Sequence, residues 1–237
     1  MIDNNSVYTT GDAAAQQESL GRYTAKTYLW MFAGLGVTFL VAVALAATGL
    51  MERLVLTAPG VMWGVIIAEL VVVIVLSARL KKISAGGATA MFFLYAALTG
   101  FTFALIFLTY EVTSAIAIFG VTALVFGIMG AWGYLTKQDL SGWGKVLLFG
   151  LIGLLLVTIV NLFMNNSTME IILSYVGVIL FLAYTAYDTQ KIKAYYFSFQ
   201  GDTAMLKKAS IISALQLYLD FINIFLYLLR LFGSRKN

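Results

Sequence analysis

No cysteine and no histidine occur in the chain, and Pro59 is its only proline. The missing cysteines exclude disulfides and thiolate nucleophiles, and without histidine there is no imidazole for a zinc site, a haem or a Ser-His-Asp arrangement. Histidine is also the usual switch near neutral pH, so any proton sensing here falls to carboxylates in an unusual setting. Charge is scarce as well: 11% of the 237 residues are charged, against about 25% in ordinary soluble domains. What fills the space is apolar, 61% of the chain, with a mean hydropathy of +0.92. This is the composition of an all-α integral membrane protein. Only oxygen ligands remain for an inorganic ion, which points to H⁺, Na⁺ or Ca²⁺ held transiently, with no resident cofactor expected.

Seven apolar runs, at about 29–50, 61–78, 88–109, 112–135, 146–164, 171–188 and 210–232, each approach the roughly 20 residues a helix needs to cross the hydrocarbon core. They do not alternate as barrel strands do. Residues 1–26 are polar, lack the apolar core of a signal peptide and read as a short solvated tail on the cytoplasmic side, leaving 27–237 as the membrane domain. Tyr110 and Glu111 alone separate the third and fourth runs, which must form a hairpin. With the N-terminus inside, the inner segments hold eleven of the 15 Lys and Arg residues, so the positive-inside rule favours N-in, C-out. The net charge of +4 resides in these short loops, a pattern of orientation and headgroup contact rather than of nucleic-acid binding. Glycines such as Gly127, Gly130, Gly133, Gly150 and Gly153 read as helix–helix contacts. Trp30, Trp63, Trp132 and Trp143 lie near run ends, as interfacial anchors do.

Three acids stand against this background. Asp220 lies about 14 Å into the last run by helical rise, near the midplane of a ~30 Å core. Glu69 is similarly central in the second run, and Asp188 ends the sixth. A carboxylate at the centre of a membrane helix is unfavourable by about 2.5–3.5 kcal/mol, so it calls for a task. Topology puts Asp188 and Asp220 toward the same inner half. On straight helices they stand about 10 Å apart along the normal. Contact therefore requires tilt, or a sixth helix that remains inside the protein to about Lys191. Two carboxylates in one low-dielectric site cannot both stay ionised cheaply and share a proton. Asn223, at i+3 from Asp220, can hydrogen-bond the carboxyl or lend an oxygen to an ion. The blander readings are an Asp188–Lys191 ion pair at a helix end, a polar clasp by Asp220 and interhelical glue by Glu69. Asp139, in the turn at 133–142, reads as solvated.

The stretch Leu217-Tyr218-Leu219-Asp220-Phe221-Ile222-Asn223-Ile224-Phe225 resembles the Leu-Tyr-Leu-Asp-Phe-Ile-Asn-Leu-Phe signature of the Bax inhibitor family, with Ile224 for the last leucine. Tyr187-Asp188-Thr189-Gln190 is similar to that family's Tyr-Asp-Thr-Gln motif, and Ala68-Glu69-Leu70 resembles its acidic second helix. The resemblance spans nearly the whole chain. It implies seven helices with the last one central, enclosed by the other six, and a carboxyl pair of Asp188 and Asp220 near the cytoplasmic face. It further implies a bacterial inner-membrane protein that leaks calcium passively under pH control, Asp188 and Asp220 forming a weak calcium site and Glu69 extending the path outward. An arginine at the inner end of the second helix latches onto the sixth-helix aspartate in such proteins. Here that position falls on Leu80, so Arg79 is the candidate latch. The alternative function is regulation of other membrane proteins, with a membrane-bound AAA protease as partner and the N-terminal tail as its handle. No enzymatic activity is expected: an intramembrane aspartyl protease would need Gly-x-Gly-Asp where Tyr218-Leu219-Asp220 stands, and a Pro-Ala-Leu motif that Pro59 cannot supply.

Overall fold

The structure, a computed structural model, describes residues 19–79 and 82–236. Eight helices follow one another among the described residues: α1 (Leu20–Ala47), α2 (Leu50–Thr57), α3 (Gly60–Arg79), α4 (Ala85–Thr109), α5 (Val112–Leu135), α6 (Trp143–Met164), α7 (Ser167–Ser198) and α8 (Thr203–Phe232). All but α2 are long and apolar enough to cross a membrane. The all-helical, seven-span architecture agrees with the sequence reading.

Three boundaries differ from it. Ser19 caps α1 by accepting the Arg22 N–H, and Tyr23 and Thr24 are buried, so residues 20–26 belong to the bundle rather than to the tail. The rest of the expected tail, residues 1–18, lies outside the described residues, as do Leu80 and Lys81. The sixth span runs ten residues beyond Asp188, to Ser198, and the seventh begins at Thr203, where Asp202 accepts the Met205 N–H. Polar residues hide these extensions from a hydropathy reading, because they continue a helix past the thickness that lipid demands. The short α2 was not foreseen either. It packs on α1 and α4.

The last helix is the axis. Of its most apolar window 72% is buried, against 6–33% for the other spans. Its main neighbours are α1, α4, α5 and α7. The expected ring of six is therefore two layers: α3 packs chiefly on α4, and α6 chiefly on α7, outside the inner four. Close approach explains part of the glycine content. A Cβ on Gly133 would strike the Ala186 backbone, which is how α5 lies directly on α7. Gly130 likewise leaves room for the Tyr28 hydroxyl, and Gly150 faces Leu180, whereas Gly127 and Gly153 have open space around them. At the far end, the Glu111 N–H donates to the Ser234 carbonyl and Lys236 donates to the Thr109 and Phe107 carbonyls. The chain's last residues are thus tied to the α4–α5 turn.

Candidate functional site

Asp188 on α7 and Asp220 on α8 are 4% and 3% exposed. Their helices run antiparallel, and the register between them can be read from packing. The Tyr227 ring stacks on Phe181 with centroids 6.1 Å apart and occupies the space a Gly177 side chain would need. Carried back along the two helices, that register sets Asp188 opposite residues 216–220. The 10 Å offset expected for straight helices ending at 188 and starting at 210 is removed because α7 continues, with Thr189, Ile192 and Tyr196 buried. Each carboxyl acts electrostatically in the other's neighbourhood: the charges that bear on Asp220 are Asp188 and, in the opposite sense, Lys191.

The remaining members of the site come from α1 and α7. The Lys191 ammonium lies 3.7 Å from an Asp188 oxygen and sits over the Tyr187 and Tyr195 rings, 5.6 Å from each centroid. Tyr28 of α1 shares a 2.8 Å hydrogen bond with Thr189 and is close enough to Asp220 to sense its charge, as is Tyr184 of α7. The titratable groups around the pair are thus Tyr28, Tyr184, Tyr187, Lys191 and Tyr195. Asp220 Oδ2 is enclosed and has no hydrogen-bond partner, and Asp188 Oδ1, equally enclosed, faces the Lys191 ammonium beyond hydrogen-bond distance. Desolvated carboxylate oxygens of this kind are unfavourable unless a proton, a cation or water reaches them.

The other expected site residues are distributed differently. Asn223 turns back on its own helix, its amide donating to the Leu219 carbonyl at 2.8 Å, so it is engaged away from Asp220. Glu69 on α3 accepts from Thr102 of α4 at 3.2 Å. Its charge bears on Tyr95 and on Tyr218, whose hydroxyl bonds Thr38 at 2.6 Å. Tyr218 and Asp220 are about 200° apart around α8, so Glu69 faces the opposite side of that helix from the carboxyl pair. Arg79 is exposed, and among the described residues the cation paired with Asp188 is Lys191. This is the i,i+3 ion pair within α7 that the sequence offers as the blander reading of Asp188, and Arg79 takes no part in it. No group of three acidic side chains converges among the described residues.

The Tyr-Asp-Thr-Gln stretch divides its work. Asp188 takes Lys191, Thr189 takes Tyr28, and Gln190 binds the α5–α6 loop twice, accepting the Leu140 N–H at 2.7 Å and donating to the Gln138 carbonyl at 2.8 Å. Lys193 adds a 2.6 Å bond to the Tyr134 carbonyl. Leu140 is thereby buried although it lies in a loop. In the same turn Asp139 is fully exposed, as expected, and the Ser141 N–H that it accepts holds its carboxyl below the usual range. Gln190→Leu removes both bonds and is expected to loosen residues 136–142 by about 1–2 kcal/mol. Amide exchange in that loop checks it, with α8 amides unchanged.

A bundle of seven apolar spans, the most enclosed of which carries a buried carboxyl with a second one facing it, defines a multi-pass membrane protein with an internal acidic site. The chain belongs to the Bax inhibitor family: the family described as inhibitor of apoptosis-promoting Bax1 matches residues 20–237. It is 46% identical to the inner membrane protein YbhL of Escherichia coli K12 over 218 residues, covering 92% of this chain and 93% of that one. An uncharacterized protein of Deinococcus radiodurans is 41% identical over 94% of this chain and 96% of its own. One from Borreliella burgdorferi is 37% identical over 91% and 93%.

Proposed function

We propose that this protein is a passive cation leak of a bacterial inner membrane, regulated by protons, with Ca²⁺ as the ion it passes. The observation that carries the reading is the pair of buried carboxyls on adjoining helices, Asp220 with an oxygen that has no hydrogen-bond partner and Asp188 with one that faces the Lys191 ammonium at 3.7 Å. Such oxygens suit an ion that wants oxygen ligands and takes most of them from water. With two carboxylates and no third acid, binding is weak and brief, which favours passage over storage. At neutral pH the charged Asp188 holds the Lys191 ammonium beside the carboxyl pair. Acid neutralises the carboxyls, removes that attraction and loosens the closed arrangement. The likeness to YbhL and the loop lysines support an inner-membrane setting with the N-terminus inside.

Reconstitution into liposomes loaded with a calcium dye tests this. The parent is expected to admit Ca²⁺ at a rate that changes with pH, and Asp188→Asn to conduct at a rate that no longer does. Equal pH profiles for parent and variant would defeat the reading.

A further inference from the structure

A second polar feature adjoins the carboxyl pair. Ser210, Ser213, Gln216 and Asp220 recur at i, i+3, i+6 and i+10 along α8, within an arc of about 120° and over about 15 Å of rise. The start of α1 faces the first of them. Thr27 hydrogen-bonds Ser210 at 2.9 Å, and Thr24, one turn earlier, lies on the same face. All but Gln216 are buried: Thr24 8%, Thr27 0%, Ser210 2%, Ser213 1% and Asp220 3% exposed.

Several buried hydroxyls in the bundle are satisfied by the carbonyl one turn back, that of Thr27 by Tyr23 among them, though Thr99 on α4 also lacks a partner. Thr122 donates to Ile118, Thr185 to Phe181 and Ser174 to Glu170. The stripe departs from that habit. The hydroxyls of Thr24 and Ser213, the Gln216 carbonyl oxygen and Asp220 Oδ2 are enclosed without partners. Several unmet oxygens aligned along one face of α8, each unfavourable when dry, mark a place that water or a cation occupies. The stripe ends at Asp220 and begins near the turn between α7 and α8.

We propose that Ser210, Ser213, Gln216 and Asp220, faced by Thr24 and Thr27, form a hydrated file along which a small cation reaches Asp220 from the end of the bundle that carries the α7–α8 turn. The proposal rests on the leak reading and names its route, along the face of α8 that meets α1 at Ser210 and α7 at Asp220. Neither Arg79 nor Glu69 lines it.

The absence of cysteine makes the test direct, because an introduced thiol is the only one. Ser213→Cys is nearly isosteric. Thr122→Cys is an equally buried control on α5, away from the file. Both full-length variants are reconstituted in calcium-dye liposomes and treated with a small, permanently charged methanethiosulfonate cation. Ser213→Cys is expected to react about tenfold faster than Thr122→Cys, since access controls thiol chemistry, and its modification is expected to abolish most of the leak. Gln216→Leu, at a half-buried position, should lower the leak severalfold without any reagent. Equal labelling rates overturn the hydrated file. Labelling that leaves the leak untouched overturns its place on the route. A parent that admits no ion defeats the leak reading itself, while the labelling contrast still decides whether the file holds water.

Discussion

Asp220→Asn is expected to make the protein more stable and at the same time to abolish its response to pH. Asp220 is 3% exposed on the most enclosed helix, one of its oxygens has no partner, and Asp188 is the nearest like charge. Replacing the carboxyl with a neutral group of the same shape relieves the desolvation and like-charge penalty that Asp220 carries whenever it is ionised, which Lys191 offsets only in part. Replacing buried charges with neutral groups of similar volume commonly stabilises by about 1–4 kcal/mol. For a chain of this size each kcal/mol shifts the midpoint by about 2–4 °C, so a rise of several degrees is expected for the detergent-solubilised protein. In liposomes the same variant should leak at a rate independent of pH, because a pair with one amide has no shared proton to release. The two readouts together separate a functional carboxyl from a structural clasp. A clasp loses its hydrogen bonds on substitution, and the midpoint would fall. A fall of several degrees would therefore reassign Asp220 to the packing of α8, whatever the flux did.

The fold was legible where lipid sets the rules. All seven spans follow from apolar runs of the required length, and the central last helix from the family signature. What the sequence hid begins where polar residues continue a helix. Lys191, Lys193 and Tyr195 end a hydropathy run but not α7, and that extension lets Asp188 meet the level of Asp220. Straight-helix arithmetic failed for the same reason: it placed both helix ends at the membrane face, whereas the turn at 199–202 lies well beyond Asp188. Residue types alone marked Asp188, Asp220 and Glu69, since acids are rare in such a chain. Their grouping was a different matter. Which side of α8 each acid faces depends on helix rotation, and Glu69 turned out to share a face with Tyr218 rather than with Asp220. Asn223 fell to its own backbone, an outcome open to any amide with a helical carbonyl four residues back. The hydroxyls of Ser210 and Ser213 carried a readable signal, a polar stripe on an otherwise apolar helix. Tyr28 carried none, because its partner Thr189 is 161 residues away.

Lys191→Gln is the complementary experiment and should have the larger effect, in the opposite direction. Lys191 is the cation paired with Asp188 among the described residues, at 3.7 Å, with side chains 25% and 6% exposed. Removing one partner of a buried pair leaves the other uncompensated, typically a loss of about 3–5 kcal/mol. A partly exposed ammonium at this distance belongs at the lower end of that range. The penalty exists only while Asp188 is charged, so the gap in unfolding midpoint between parent and variant should be widest at neutral and alkaline pH and should close as the solution is acidified. The leak should respond in step. Without the ammonium, nothing holds the closed arrangement at neutral pH, and the variant should conduct there as the parent does in acid. Lys191 also lies over the Tyr187 and Tyr195 rings, so packing offers a rival explanation. The double variant decides between them. If the lysine works through the carboxylate, adding Asp188→Asn removes most of the destabilisation, since the two effects are then strongly coupled. If Lys191→Gln is equally harmful with Asp188 or Asn at that position, the lysine is a packing residue and the intrahelical latch is wrong. Lys191→Arg, which keeps the charge over the same two rings, should stay close to the parent under either account and so guards against a variant that merely misfolds.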